Sequence, residues 1–229
     1  MIVALDQDGP EEARRCVEAL GDDVGRYKLG SVLFTRAGPP LVRELSGRGL
    51  GVFLDLKFHD TPATVAGAVA AAVELGVDLL TVHAAGGGPM VEAARKAIDR
   101  AGAGTRLLAV TVLTSLGPEE FDRVAGGGRG LRESVVALAR LAIEAGADGC
   151  VASAREVAVL REALGPGPLL VVPGIRPAWS VADHAGQART ASPAEAIRAG
   201  ATHLVLGRAV TRAENPLAAL RRIREEIAA

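Results

Sequence analysis

Short apolar runs alternate with longer amphipathic stretches along this chain, many times over. Runs rich in Val, Ile and Leu, with little polar alternation, fall at 2–6, 26–30, 51–57, 79–83, 107–112, 149–152, 169–173 and 203–207. That pattern predicts parallel strands buried on both faces. Helical spacing runs between them, at 10–20, 62–75, 89–101, 131–145, 154–164, 193–199 and 216–228. Pro10, Pro62, Pro89, Pro193 and Pro216 fall where helices should begin, a place where a missing N–H costs no hydrogen bond. Gly76, Gly146 and Gly200 each stand between a helical stretch and a strand, where a helix ends in the left-handed conformation.

About eight strands alternating with about eight helical segments mean a parallel sheet. In a chain of 229 residues this predicts an α/β fold, a single-domain (β/α)8 barrel over residues 1–229. A doubly wound open sheet is the competitor, but no Gly-x-Gly-x-x-Gly turn follows the first strand. No Ser/Pro/Gly-rich linker divides the chain. Two segments, 117–130 with its three consecutive glycines and 176–192, are expected to be long loops over the active face.

Composition narrows the function classes. Hydrophobic residues at 49% and charged residues at 23% place the chain among soluble globular proteins. With 26 Lys+Arg against 27 Asp+Glu, bulk charge would hold neither nucleic acid nor a membrane surface. A small anion held by one or two local basic residues remains compatible. Cys16 and Cys150 lie in no metal-type spacing and read as reduced thiols. No apolar run approaches the roughly 18 residues of a membrane span, and the N-terminus has no signal-peptide pattern. The expected location is cytoplasmic.

Three charges alternate within six residues at the end of the third apolar run, in Asp55-Leu56-Lys57-Phe58-His59-Asp60. Strand alternation sends Asp55 and Lys57 to one side. Strand C-termini form the catalytic face of a barrel. Two carboxylates flanking one lysine there point to chemistry rather than to a solvated ion pair. His83 ends the fourth strand, where a catalytic or a hydrogen-bonded structural histidine are both compatible. His59 beside Asp60 lacks a second ligand pair, so no metal is expected. Gly174-Ile175-Arg176 and Gly207-Arg208 close the seventh and eighth strands. Glycine admits backbone N–H groups and arginine offers a forked cation, which suits a phosphate.

The spacing Asp55-x-Lys57-x-x-Asp60-x-Pro62-x-Thr64 resembles the signature of orotidine 5′-phosphate decarboxylases. The resemblance runs from Val3-Ala4-Leu5-Asp6 through Lys28-Leu29-Gly30 and Val110-Thr111-Val112-Leu113-Thr114-Ser115 to Gln187, Ser192-Pro193 and Gly207-Arg208. It implies decarboxylation of orotidine 5′-monophosphate to uridine 5′-monophosphate without cofactor or metal. By it, Lys57 protonates ring carbon 6 and Asp55 faces the substrate carboxylate. Asp60 and Thr64 enter the partner's site in a homodimer. Asp6 and Lys28 hold the ribose and Thr114 the pyrimidine, while Arg176, Gln187, Gly207 and Arg208 surround the phosphate. Thr61 and Ala63 depart from the isoleucine and frequent asparagine expected of bacterial members, and Ala188 from a basic residue. The alternative is a magnesium-dependent sugar-phosphate decarboxylase or epimerase on a related phosphate-binding barrel, with His83 and Asp55 as metal ligands in the epimerase case.

Overall fold

The computed structural model describes residues 1–180 and 190–228. Eight parallel strands close into a barrel in sequence order. They are β1 (Ile2–Leu5), β2 (Arg26–Gly30), β3 (Gly51–Phe58), β4 (Leu79–His83), β5 (Arg106–Val110), β6 (Gly149–Val151), β7 (Leu169–Val172) and β8 (His203–Leu206). β1 pairs with β8 to complete the circle, so no sheet edge is left. This is the (β/α)8 barrel that the alternation of apolar runs predicts.

Helices α1 (Pro10–Leu20), α2 (Ser31–Gly47), α3 (Pro62–Val73), α4 (Gly88–Arg100), α5 (Pro118–Ala125), α6 (Leu131–Glu144), α7 (Val157–Leu164), α8 (Pro193–Arg198), α9 (Arg208–Thr211) and α10 (Pro216–Ala228) lie between and after the strands. The expected proline starts hold for α1, α3, α8 and α10, and Pro89 sits in the first turn of α4. Gly76, Gly146 and Gly200 have φ of 77°, 94° and 106°, the left-handed turns anticipated.

Two segments differ from expectation. α2 is absent from the helical pattern of the sequence because Gly38-Pro39-Pro40 reads as a breaker. The backbone does break at Gly38 (φ 60°), but helix resumes at once beyond it. The expected loop 117–130 holds α5, which opens on Pro118 and buries Phe121. Its glycines, Gly126 to Gly128, only end that helix and carry φ of 72°, 80° and 99°.

Two apolar layers position the site. The larger lies between strands and helices. The smaller fills the barrel interior with Ile2, Ala4, Phe53, Leu79, Leu108, Val171 and Val205. On β3, Phe53 points inward, so alternation sends Asp55 inward one step nearer the C-terminal rim. Ala4, Lys28 and Phe53 stand in register across β1, β2 and β3. The packed plug is thus the floor, and charges rise from it toward the rim. The opposite end carries ion pairs Arg26–Asp78, Arg95–Asp148 and Arg106–Asp148, on the face where barrels keep stability rather than chemistry.

Candidate active site

Asp55 is 8% exposed at the C-terminal end of the barrel. Its Oδ2 lies 2.9 Å from Lys57 Nζ and 3.6 Å from Lys28 Nζ. Lys28 Nζ also lies 3.3 Å from Asp6 Oδ1. The result is a chain of alternating sign, Asp6–Lys28–Asp55–Lys57, drawn from the first three strands. Burial pushes the Asp55 carboxyl up. The attraction of Lys28 and Lys57, with hydrogen bonds from Lys57 and Thr81, outweighs burial and leaves it below the ordinary carboxylate value.

Strand alternation alone is not how Lys57 reaches Asp55. The β3–β4 register shifts between Leu54 and Phe58, and Lys57 has φ of 54°, the one positive value outside glycine among the described residues. That conformation costs a side-chain-bearing residue about 1–2 kcal/mol. Thr81, buried on β4, holds the bend. Its hydroxyl accepts the Lys57 backbone N–H at 2.9 Å and donates to Asp55 Oδ1 at 3.0 Å. Sequence reasoning passed over Thr81, which sits in an apolar strand; the available signal was a lone hydroxyl in Leu79-Leu80-Thr81-Val82-His83.

A cavity of about 300 Å³ opens over these groups. Asp6, Lys28, Asp55, Lys57, Thr114, Arg176, Gly207 and Arg208 all line it. Arg176 is half-buried. It donates from one terminal nitrogen to the Ile175 carbonyl at 3.1 Å, while its buried Nε has no acceptor among the described residues. Burial, then the nearby Arg208 cation, pull its pKa below the ordinary arginine value. A buried donor without an acceptor costs about 1–3 kcal/mol, and two cations near each other add repulsion. An anion between them would relieve both. Gly174, with φ of 77°, makes the left-handed turn before this arginine.

The remaining expected residues lie elsewhere. Asp60 and Thr64 are exposed and do not line the cavity of their own chain. Asp60 Oδ1 accepts the Thr61 N–H at 2.6 Å, and the Thr61 and Thr64 hydroxyls are 2.9 Å apart. Within one chain, and among the described residues, Asp55 is the acidic partner of Lys57, so the expected second flanking carboxylate is not beside it. Gln187 lies outside the described residues. His83 stands beside this site, its ring centroid 5.3 Å from that of His59. Burial, His59 and Lys57 lower its pKa against the pull of Asp55.

A family model described as "Orotidine 5'-phosphate decarboxylase / HUMPS family" matches residues 1–223. The chain belongs to this family. Among its curated relatives, the orotidine 5′-phosphate decarboxylase of Moorella thermoacetica is 49% identical over 232 residues, covering 99% of this chain and 91% of the relative. That of Chromohalobacter salexigens is 49% identical over 228 residues, covering 100% and 95%. The crystal structure of orotidine 5′-phosphate decarboxylase from Lactobacillus acidophilus superposes with a TM-score of 0.87 at 37% identity, covering 100% of this chain and 99% of that one. The family resemblance read from the Asp55–Thr64 spacing therefore holds across the whole barrel.

Proposed function

We propose that the chain removes carbon dioxide from orotidine 5′-monophosphate to give uridine 5′-monophosphate, the last step of pyrimidine nucleotide synthesis. The observation that carries this reading is the Lys57 amine, 2.9 Å from a buried carboxylate, in a cavity that also holds Arg176 and Arg208. The family and its named relatives support the same substrate.

The bond from ring carbon 6 to the carboxylate breaks, carbon dioxide leaves, and the electron pair stays on carbon 6. That pair has little resonance help, so a fixed positive charge beside it lowers the barrier. Lys57 supplies the charge and then transfers a proton from Nζ to carbon 6. The neutral amine regains its proton from water. Asp55 keeps Lys57 protonated and aimed, because an opposite charge stabilises the cationic form. It also faces the substrate carboxylate, where two like charges about 4 Å apart repel by roughly 4 kcal/mol at an effective dielectric near 20. Thr114 contacts the pyrimidine, Asp6 and Lys28 the ribose, and Arg176, Gln187, Gly207 and Arg208 the phosphate. Binding energy from that remote phosphate is available to raise turnover.

The reading takes the working unit to be a cytoplasmic homodimer in which Asp60 and Thr64 complete the partner's site. Two features support this. Both residues are exposed in one chain, and the outward face of α3 beside them carries the small residues Ala63, Gly67 and Ala71. No cofactor and no metal enter the scheme. The test is to follow pyrimidine ultraviolet absorbance with purified protein, orotidine 5′-monophosphate and a chelator. Turnover unchanged by the chelator is expected; activity that vanishes with it overturns the reading.

A further inference from the structure

We propose that Trp179 and Arg222 form a brace that positions Arg176 for the phosphate of the substrate. The inference rests on the reading of Arg176 as a phosphate ligand and adds two positioning residues outside the cavity.

Arg176 is held under adverse conditions. Its Nε is buried without an acceptor among the described residues, and Arg208 repels it. An unconstrained arginine would swing toward water. Its backbone is fixed instead. The Arg176 N–H donates to the Ala191 carbonyl at 2.9 Å, and Ile175 bridges to Ala191 beside it. Pro177 follows, with its backbone angle locked by its ring. The Ser180 N–H then closes a tight turn onto the Pro177 carbonyl at 3.0 Å. Trp179 stands inside that turn, three residues from Arg176.

Trp179 anchors the turn from below. Its ring packs against the main apolar layer, and the Arg222 guanidinium of α10 lies 4.5 Å from its centroid, on the ring face. α10 is itself tied to the turn before β2, since Arg221 and Arg224 both pair with Asp23. The line of restraint runs from that turn through α10, Arg222 and Trp179 to the turn that carries Arg176. A flat aromatic face under a cation resists sliding better than an aliphatic side chain would, because the contact depends on orientation. Neither residue touches the cavity, so neither binds the nucleotide itself.

The test compares uridine 5′-monophosphate with uridine, which lacks the phosphate, as ligands of the intact protein. The single tryptophan makes emission a direct reporter of the brace. In the unaltered protein, uridine 5′-monophosphate and inorganic phosphate should change Trp179 emission and uridine should not. Arg222→Ala should weaken uridine 5′-monophosphate binding about threefold, in line with an exposed cation–π contact. Arg222→Lys should restore part of that loss. Trp179→Leu should weaken it about tenfold and Trp179→Phe less. Uridine affinity should stay unchanged throughout, and kcat/KM for the phosphorylated substrate should fall in step with the loss of uridine 5′-monophosphate affinity. Equal weakening of uridine and uridine 5′-monophosphate, or no weakening of either, overturns the brace. If Trp179→Leu does not fold, the two Arg222 variants decide. If the unaltered protein binds uridine 5′-monophosphate no better than uridine, the phosphate site itself is wrong and the brace falls with it. If phosphate binds but orotidine 5′-monophosphate is not consumed, the decarboxylase reading fails and the brace stands.

Discussion

Thr81 donates its one hydroxyl hydrogen to Asp55 at 3.0 Å, and the same oxygen receives the Lys57 backbone N–H. One buried side chain therefore fixes both the carboxylate and the bend that carries the amine. Thr81→Val keeps the shape and removes both bonds. The variant is expected to lose about 1–3 kcal/mol of stability, the cost of leaving buried polar groups unmet. Turnover should fall at least tenfold with KM little changed. Urea unfolding and steady-state rates check this, and full activity in Thr81→Val would show that the bend holds itself.

Lys57 separates chemistry from backbone strain. Lys57→Ala and Lys57→Gly should both bind uridine 5′-monophosphate and both lack turnover. Yet the glycine variant should be the more stable by about 1 kcal/mol, since glycine adopts φ near 54° without penalty. Parallel denaturation curves decide. An active alanine variant would remove Lys57 from the proposed mechanism.

Asp60 and Thr64 are assigned to the partner's site, which a mixing experiment tests. Lys57→Ala and Asp60→Ala are each expected to be inactive alone. Equal mixing, with subunit exchange, gives heterodimers holding one intact site each, so about a quarter of full activity should return. If Asp60 served its own chain's site, no mixture would recover activity.

Stability should fall in two steps as pH drops. His83 and His203 are half-buried imidazoles held below their ordinary 6.5. Burial leads in both, followed by His59 and Lys57 for the first and by Arg26 and the N-terminal amine for the second. The unfolded chain therefore takes up these protons first. Stability declines as pH falls below 6.5, until the folded imidazoles are protonated too. Asp55 acts in the same sense at lower pH. Its depressed carboxyl contributes stability that is present above 3.8 and is lost as pH falls through its folded value. Urea midpoints against pH should show both declines. His203→Asn should shrink the first, and a midpoint flat between about pH 7 and pH 5 would contradict it.

The fold was legible because buried parallel strands leave unbroken apolar runs, and left-handed helix ends leave glycines such as Gly76 and Gly146. α2 escaped because Gly38-Pro39-Pro40 looks like a terminus, whereas the helix merely breaks there and resumes. α5 escaped because the three glycines that follow it masked an eight-residue helix. Of the site, Asp55 and the two arginines could be read from strand-end position alone. The Asp55–Lys57 meeting was anticipated for an incomplete reason, since a register shift and a left-handed residue intervene. Thr81 could not be found without knowing which strand β3 pairs with. Asp60 is exposed in its own chain, and the neighbour proposed for it is another subunit's lysine, which no pattern within one sequence marks.

The row Asp6–Lys28–Asp55–Lys57 carries two negative and two positive charges, so its sum is zero. Arg176, half-buried on the β7 side, faces this neutral row across the cavity. A dianionic ligand approaching the mouth therefore feels a stronger pull toward the arginine wall than toward the row. It is turned tail-first before any contact forms, with its ring delivered to the wall that is strongly polar yet neutral. Ionic strength should slow this capture step and leave the bound complex nearly untouched.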